Sequence, residues 1–475
     1  MSRFAPYATI VELGRALRDG STSPTALAEQ YLQRIEKLND KLGAFKRVTP
    51  ERAMAQARAA EAEMSAGVDR GPLHGIPYAA KDLYDVAGYP TTAGCPLLES
   101  NIAGRDCAVI RKLNDAGAVL LGKTITVQFA YGGAGINSQQ GTPHNPWHRE
   151  PHLPGGSSSG SGVAVASGMA PMALGSDTGG SVRIPAAFCG ISGLKTTVGQ
   201  ISRAGVYPLS WSLDSVGPLT RSVEDAALIY HALAGADCDD SSTREYSAAD
   251  VLSGLDAGVR GLRLAFAETV FFDEVDHEVA ALVRATGQVF SALGAQVGSI
   301  AFPQARQAVE LNPKSLIIAA EAYTLNRKLI DNQFSKLDPV VALRMARGAE
   351  IPAHEYLQSQ RDWQTLRAGA MKQLRDVDAL LCPTVMIPPT PVAEVARDME
   401  KYTQRNLQIL RNTAIGNILN LCAVTVPCGF TSAGFPVGLM IYGKSFSEAM
   451  VLRIGTAFQR ATDWHSRSPA LDWVR

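Results

Sequence analysis

Apolar positions recur every three to four residues near the start of the chain, then give way to short apolar runs cut by glycine and proline. Leu27, Tyr31, Ile35 and Leu38 share one helical face, and Ser23-Pro24 places a capping residue before proline at the first helical position. Residues 51–64 are rich in Ala, Glu and Arg, which are strong helix formers, so residues 1–65 are predicted to be helical. Further on, residues 118–121 read as a buried strand and 163–166 as an apolar segment behind a Gly/Ser loop. Ser222, followed by Glu224 and Asp225, opens a predicted helix over 223–233 with a cap and an acidic first turn.

Residues 237–254 are polar and read as a surface connection. Beyond them a strand over 262–267, a helix over 275–293 and a strand over 296–300 alternate like a βαβ unit. Residues 311–375 are predicted mostly helical. Strands follow at 379–381, 423–426 and 436–442, with a closing helix over 448–460. No repeat, linker or low-complexity tract divides the chain, so the expectation is one α/β domain over residues 1–475. Its parts are an N-terminal helical segment (1–65), a Gly-rich core (70–235) and a helical region (311–375).

Composition narrows the class. Of 475 residues, 46% are hydrophobic and 19% charged, which suits a well-buried globular protein. Lys plus Arg equals Asp plus Glu at 45 each, so no global charge draws the chain to nucleic acid or an acidic membrane. The seven cysteines are dispersed without a C-x-x-C pair, which reads as reduced thiols rather than a disulfide framework. No run of about 18 apolar residues and no basic-then-apolar start occurs, so a cytoplasmic protein is expected. His144, His148 and His152 are the only clustered histidines. Pro143, Pro146, Pro151 and Pro154 forbid a continuous helix there, so loop contacts are expected and no metal site.

The richest segment is Gly155-Gly156-Ser157-Ser158-Ser159-Gly160-Ser161-Gly162, followed by Gly175-Ser176-Asp177-Thr178-Gly179-Gly180-Ser181-Val182-Arg183. A flexible linker needs no apolar flanks, whereas this run has them on both sides. A phosphate loop would need Gly-Lys-Ser/Thr after the glycines, and a dinucleotide fingerprint a third glycine; both are missing. Gly156-Ser157-Ser158-Ser159-Gly160 does satisfy G-x-S-x-G, which would make Ser158 a nucleophile-elbow serine with Asp463 and His465 as partners.

Together with Gly75-Ile76-Pro77-Tyr78-Ala79-Ala80-Lys81-Asp82, these clusters resemble the amidase signature family. The likeness extends through Phe188–Lys195, Ser212–Pro218, Thr425-Val426-Pro427-Cys428-Gly429 and Pro436-Val437-Gly438-Leu439. It implies an α/β fold with a large, mixed, twisted sheet covered by helices on both faces. It also implies amide hydrolysis by a Ser–Ser–Lys triad: Ser181 as nucleophile, Ser157 as bridging serine after a cis peptide bond, and Lys81 as base. Chemistry agrees with these types. A serine hydroxyl needs an adjacent base, and lysine serves only when burial brings its pKa down from about 10.4.

Under the same resemblance Thr178, Gly179, Gly180 and Ser181 form an oxyanion hole from backbone N–H groups. Asp177 and Arg183 brace that loop as a buried pair, and Ser158 supports the triad by hydrogen bonds. Cys189 reads as a packing residue rather than a nucleophile. Pocket walls are expected from Tyr131, Gly132, Gly133, Ile136 and Trp211, with residues 311–323 contributing. The implied substrate is a small-molecule amide, with esters and carbamates admitted; no cofactor is implied, and a homodimer is admitted. One alternative is the glutaminase subunit of a tRNA-dependent amidotransferase, and another is a silent binding scaffold, against which the intact triad speaks. Glutaminases of the family hold the substrate ammonium with an acid upstream of the C-terminal Val-Pro strand. Residues 410–417 carry no carboxylate, so a neutral aryl or alkyl amide is expected.

Overall fold

Eleven strands join one mixed sheet in the computed structural model, which describes residues 6–243 and 250–474. In chain order they are β1 (Phe45–Val48), β2 (Pro77–Lys81), β3 (Val119–Thr124), β4 (Met172–Asp177), β5 (Ser192–Lys195), β6 (Ser215–Thr220), β7 (Arg263–Ala267), β8 (Gln296–Ile300), β9 (Ala379–Pro383), β10 (Cys422–Phe430) and β11 (Pro436–Gly443). Across the sheet the order is β1-β3-β2-β4-β6-β5-β10-β11-β9-β7-β8. β2 runs parallel to β3 and β4, β7 runs parallel to β8 and β9, and the remaining pairs are antiparallel.

Local chemistry explains most of the boundaries. Ser23 accepts from the Ala26 N–H at the head of the helix Pro24–Leu42, and Ser222 accepts from Asp225 N–H at the head of Val223–Leu233. Asp276 does the same for His277–Ala292, accepting from two N–H groups. β2, β3 and β4 are buried along their whole lengths, as parallel strands covered on both faces must be. The expected strands and helices beyond residue 255 all form, and β8 spans the predicted residues.

Two local expectations need correction. β1 interrupts the N-terminal helices because residues 45–48 pair with β3 instead of continuing a helix. The Gly/Ser run is not a loop throughout, since Ser159–Ala166 is a helix packed against β2, β3 and β4. Glycine is required for that closeness: a Cβ on Gly160 would lie 2.2 Å from the Ala44 carbonyl oxygen. The predicted polar connection 237–254 is described only in part, because residues 244–249 lie outside the described residues. Among the described residues no helix is long and apolar enough to cross a membrane.

Candidate active site

β2 ends on Lys81, β4 ends on Asp177, and the Gly/Ser run passes between them. Lys81 Nζ lies 2.7 Å from Ser157 Oγ and 2.9 Å from Ser176 Oγ, all three side chains being buried. The peptide bond between Gly156 and Ser157 is cis. Burial pulls the Lys81 amine down to about 7, against the attraction of Asp214 and Asp177. Ser181 joins this group through the backbone, its carbonyl accepting from Ser158 N–H at 3.3 Å.

The loop 178–182 is built around one ion pair. Arg183 grips Asp177 in a fork, Nε to Oδ2 at 3.0 Å and Nη2 to Oδ1 at 2.9 Å. Nη2 also donates to Asn417 at 2.6 Å and Nη1 to the Tyr442 hydroxyl at 2.8 Å. Burial works against an ionised Asp177, but the Arg183 guanidinium overrides it and holds that carboxyl well below the usual range. Asp177 then accepts from Gly180 N–H at 2.8 Å and Val182 N–H at 3.2 Å, which fixes the turn. Gly180 sits at φ +134°, where a Cβ would also strike Thr413 Oγ1, so only glycine fits. Its N–H is thus committed inward, leaving Thr178, Gly179 and Ser181 as the candidate donors to a substrate oxygen.

Asp214 steadies the other side of this loop. Its Oδ1 accepts from Thr178 Oγ1 at 2.5 Å, and its Oδ2 from the N–H groups of Leu209 and Ser210, both at 2.9 Å. Burial raises its carboxyl, while those hydrogen bonds favour the charged form.

A cavity of about 550 Å³ opens beside Ser181, lined by Tyr131, Gly132, Thr178 and Gly179 among others. Asn312, Pro313, Ser315 and Ile318 reach it from the region expected to contribute. Gly133, Ile136 and Trp211 do not line it. Gly133 spends its N–H on Asn406 at 2.7 Å, and Ile136 packs against the apolar cluster of Leu153, Phe188 and Tyr402. Trp211, 44% exposed, borders a second cavity of about 260 Å³ that Thr178 also lines.

Much of the main wall comes from the helix Met399–Ile418, through Leu407, Leu410, Arg411, Ala414 and Ile418. Their helical spacing is visible in the sequence, but such a stripe ordinarily means core. That helix supplies no carboxylate to the cavity, as expected. Glu274, from the segment after β7, supplies one all the same, and Arg411 adds a cation. The absence of acid in residues 410–417 therefore gives no ground for a neutral substrate.

Ser158 Oγ bonds only the backbone of Ser176, at 3.3 and 3.4 Å, while Nδ1 of His465 has no partner among the described residues. Ser176, Asp214, Thr413 and Asn417 carry the site's hydrogen bonding, and sequence reasoning assigned them no role. Ser176 and Asp214 stand inside the family-like motifs, which was the available signal. Cys189 is buried, with burial raising its thiol, and the rings of His148 and His152 pack on each other and on Phe435.

A family profile described as Amidase matches residues 26–452. The chain belongs to the amidase signature family. It is 36% identical over 456 residues to a 2-amino-5-chloromuconic acid deaminase of Comamonas testosteroni, covering 96% of each chain. It is 35% identical to a glutamyl-tRNA(Gln) amidotransferase subunit of Chromohalobacter salexigens, covering 97% of this chain and 98% of that one. A peptide amidase of Stenotrophomonas maltophilia superposes with a TM-score of 0.86 at 29% identity, over 98% of this chain and 99% of the other. As a member of this family the protein is an amidase, an enzyme hydrolysing carbon–nitrogen bonds.

Proposed function

We propose that the protein hydrolyses a small-molecule amide through an acyl-enzyme on Ser181. The observation that carries this is the buried Lys81 amine, brought down to about 7 and 2.7 Å from Ser157 Oγ. Neutral Lys81 takes the Ser157 proton as Ser157 takes that of Ser181, and Ser181 Oγ adds to the amide carbonyl. The N–H groups of Thr178, Gly179 and Ser181 receive the oxyanion, a stabilisation for which one donor is typically worth about 2.7–4 kcal/mol. The proton returns through Ser157 to the departing nitrogen, the C–N bond breaks, and water then cleaves the ester by the same relay in reverse.

The apolar wall of Leu407, Leu410, Ala414 and Ile415 suits an aryl or alkyl acyl group. The test is a serine-directed covalent probe followed by peptide mapping, with turnover of small amides by the protein alone. Labelling at Ser181, and loss of turnover in Ser181→Ala, is the expected result. Labelling at Ser158 would return the nucleophile-elbow reading.

A second reading, the glutaminase component of an amidotransferase, draws support from Arg411 and Glu274 in one cavity, charges suited to a zwitterion. The likeness to the Chromohalobacter salexigens protein adds to it. Turnover appearing only on glutamine, and only with partner chains and tRNA, would favour it.

A further inference from the structure

The cavity beside Ser181 contains a cation that the proposed acyl transfer does not use. Arg411 lines it from the helix Met399–Ile418, flanked on that face by Leu410 and Ala414. Its Nε donates to the neighbouring Asn412 Oδ1 at 3.2 Å, whereas its Nη2 is buried and has no hydrogen-bond partner among the described residues. Asp273 and Glu274 attract it through space, but Asp273 is paired with Arg306 at 3.6 Å, and no ion pair closes on Arg411 among the described residues.

Arg344 lines the same cavity and shows what a satisfied guanidinium looks like. Its Nη1 donates to the Tyr131 carbonyl at 2.7 Å and its Cζ lies over the Tyr131 ring, 4.0 Å from the centroid. Among the described residues Arg411 has no equivalent platform. A buried N–H of a charged group left without an acceptor is costly, and a ligand that supplies the acceptor recovers that cost on binding. The planar guanidinium fork matches a carboxylate, which can accept from it twice.

We propose that the amide hydrolysed here carries a free carboxylate, and that Arg411 binds it. This rests on the amide-hydrolase reading and narrows its substrate to the monoamide of a dicarboxylic acid with an apolar spacer. One carboxylate is accommodated rather than two, because Arg344 is already engaged with Tyr131. The apolar side chains beside Arg411 sharpen the selection by excluding water from the pair.

The test compares 4-carbamoylbenzoate and adipic acid monoamide with their methyl esters. For the wild type, kcat/KM should favour each acid by about tenfold or more. Arg411→Gln should abolish that preference, mainly through KM, the acids losing about tenfold more than the esters. Arg411→Lys should keep part of it. Turnover of the esters checks that the variants are folded. Equal wild-type kcat/KM for acid and ester, or an equal fall for both in Arg411→Gln, would overturn the proposal. Calorimetry of 4-carbamoylbenzoate on Ser181→Ala and on Ser181→Ala/Arg411→Gln separates the two readings. If Ser181→Ala retained full turnover, the Ser181 mechanism would fall. Binding lost only with Arg411 would still uphold the carboxylate site, and binding indifferent to Arg411 would sink it.

Discussion

Lys81 on β2 and Lys195 on β5 are both fully enclosed in one sheet, and burial pulls both amines down, to about 7 and about 8. Their partners differ. Lys81 meets two hydroxyls, Ser157 and Ser176, whereas Lys195 donates to two carbonyls, those of Thr196 and Leu421, each at 2.9 Å. A hydroxyl can accept from an ammonium and donate to an amine, so it passes a proton on; a carbonyl oxygen only accepts. A depressed lysine is therefore a candidate base only where its neighbours can exchange protons with it. Lys195 instead ties the end of β5 to the residue before β10, a structural task.

The sharpest way to break this distinction is to remove each amine. Lys81→Met should lower kcat/KM roughly a thousandfold or more, the upper range for losing a general base, while leaving the protein folded. Lys195→Met should leave kcat/KM within about tenfold but cost about 2–4 kcal/mol in chemical denaturation, since two buried carbonyls lose their donor. A large activity loss in Lys195→Met at unchanged stability would erase the contrast.

A smaller effect separates the two hydroxyls around Lys81. Neutral amine is the active form, so kcat/KM should be low below pH 7 and rise through a limb near the Lys81 value of about 7. The unfolded chain holds that proton up to about 10.4, so it binds more protons than the native state between about 7 and 10.4, and stability should rise with pH there. Lys81→Met should remove that share of the slope. Ser176→Ala deletes an acceptor for the ammonium, so the activity limb should move to lower pH and the plateau should fall about tenfold. A pH profile identical to wild type would show that Ser176 does not touch the working amine.

What the sequence disclosed follows the range over which each feature is determined. Ser23, Ser222 and the helical spacing of Leu27, Tyr31, Ile35 and Leu38 act within a few residues, and those helices form where predicted. Lys81, Ser157 and the loop 177–183 lie in contiguous motifs, and the fold brings them together. The cavity wall was less legible. Leu407, Leu410 and Arg411 meet Ser181 only because the helix Met399–Ile418 packs across the loop, with Thr413 Oγ1 donating to the Gly179 carbonyl at 2.7 Å. Glu274 arrives from the segment after β7, and no local pattern marks it. β1 was hidden because four residues of strand take their identity from pairing with β3 rather than from their own periodicity.

The smallest effect concerns Ser158, the chain neighbour of Ser157, whose hydroxyl meets Ser176 through the backbone alone. Its Oγ donates to the Ser176 carbonyl at 3.3 Å and accepts from the Ser176 N–H at 3.4 Å, both long and hence weak contacts. The side chain caps nothing at the head of the helix Ser159–Ala166. Its bond to the Ser181 carbonyl is made by the backbone N–H and survives any side-chain change. Ser158→Ala should therefore slow kcat/KM only a few-fold and cost about 0.5–1.5 kcal/mol, the net worth of a modest hydrogen bond. Because Ser176 loses a guide rather than its hydroxyl, the pH limb should stay near 7, unlike that of Ser176→Ala. Parallel pH profiles of the two variants decide the matter. Complete loss of turnover in Ser158→Ala, with Ser181 still labelled by the probe, would mean that Ser158 carries protons itself and that the relay from Ser181 to Lys81 runs through more than Ser157.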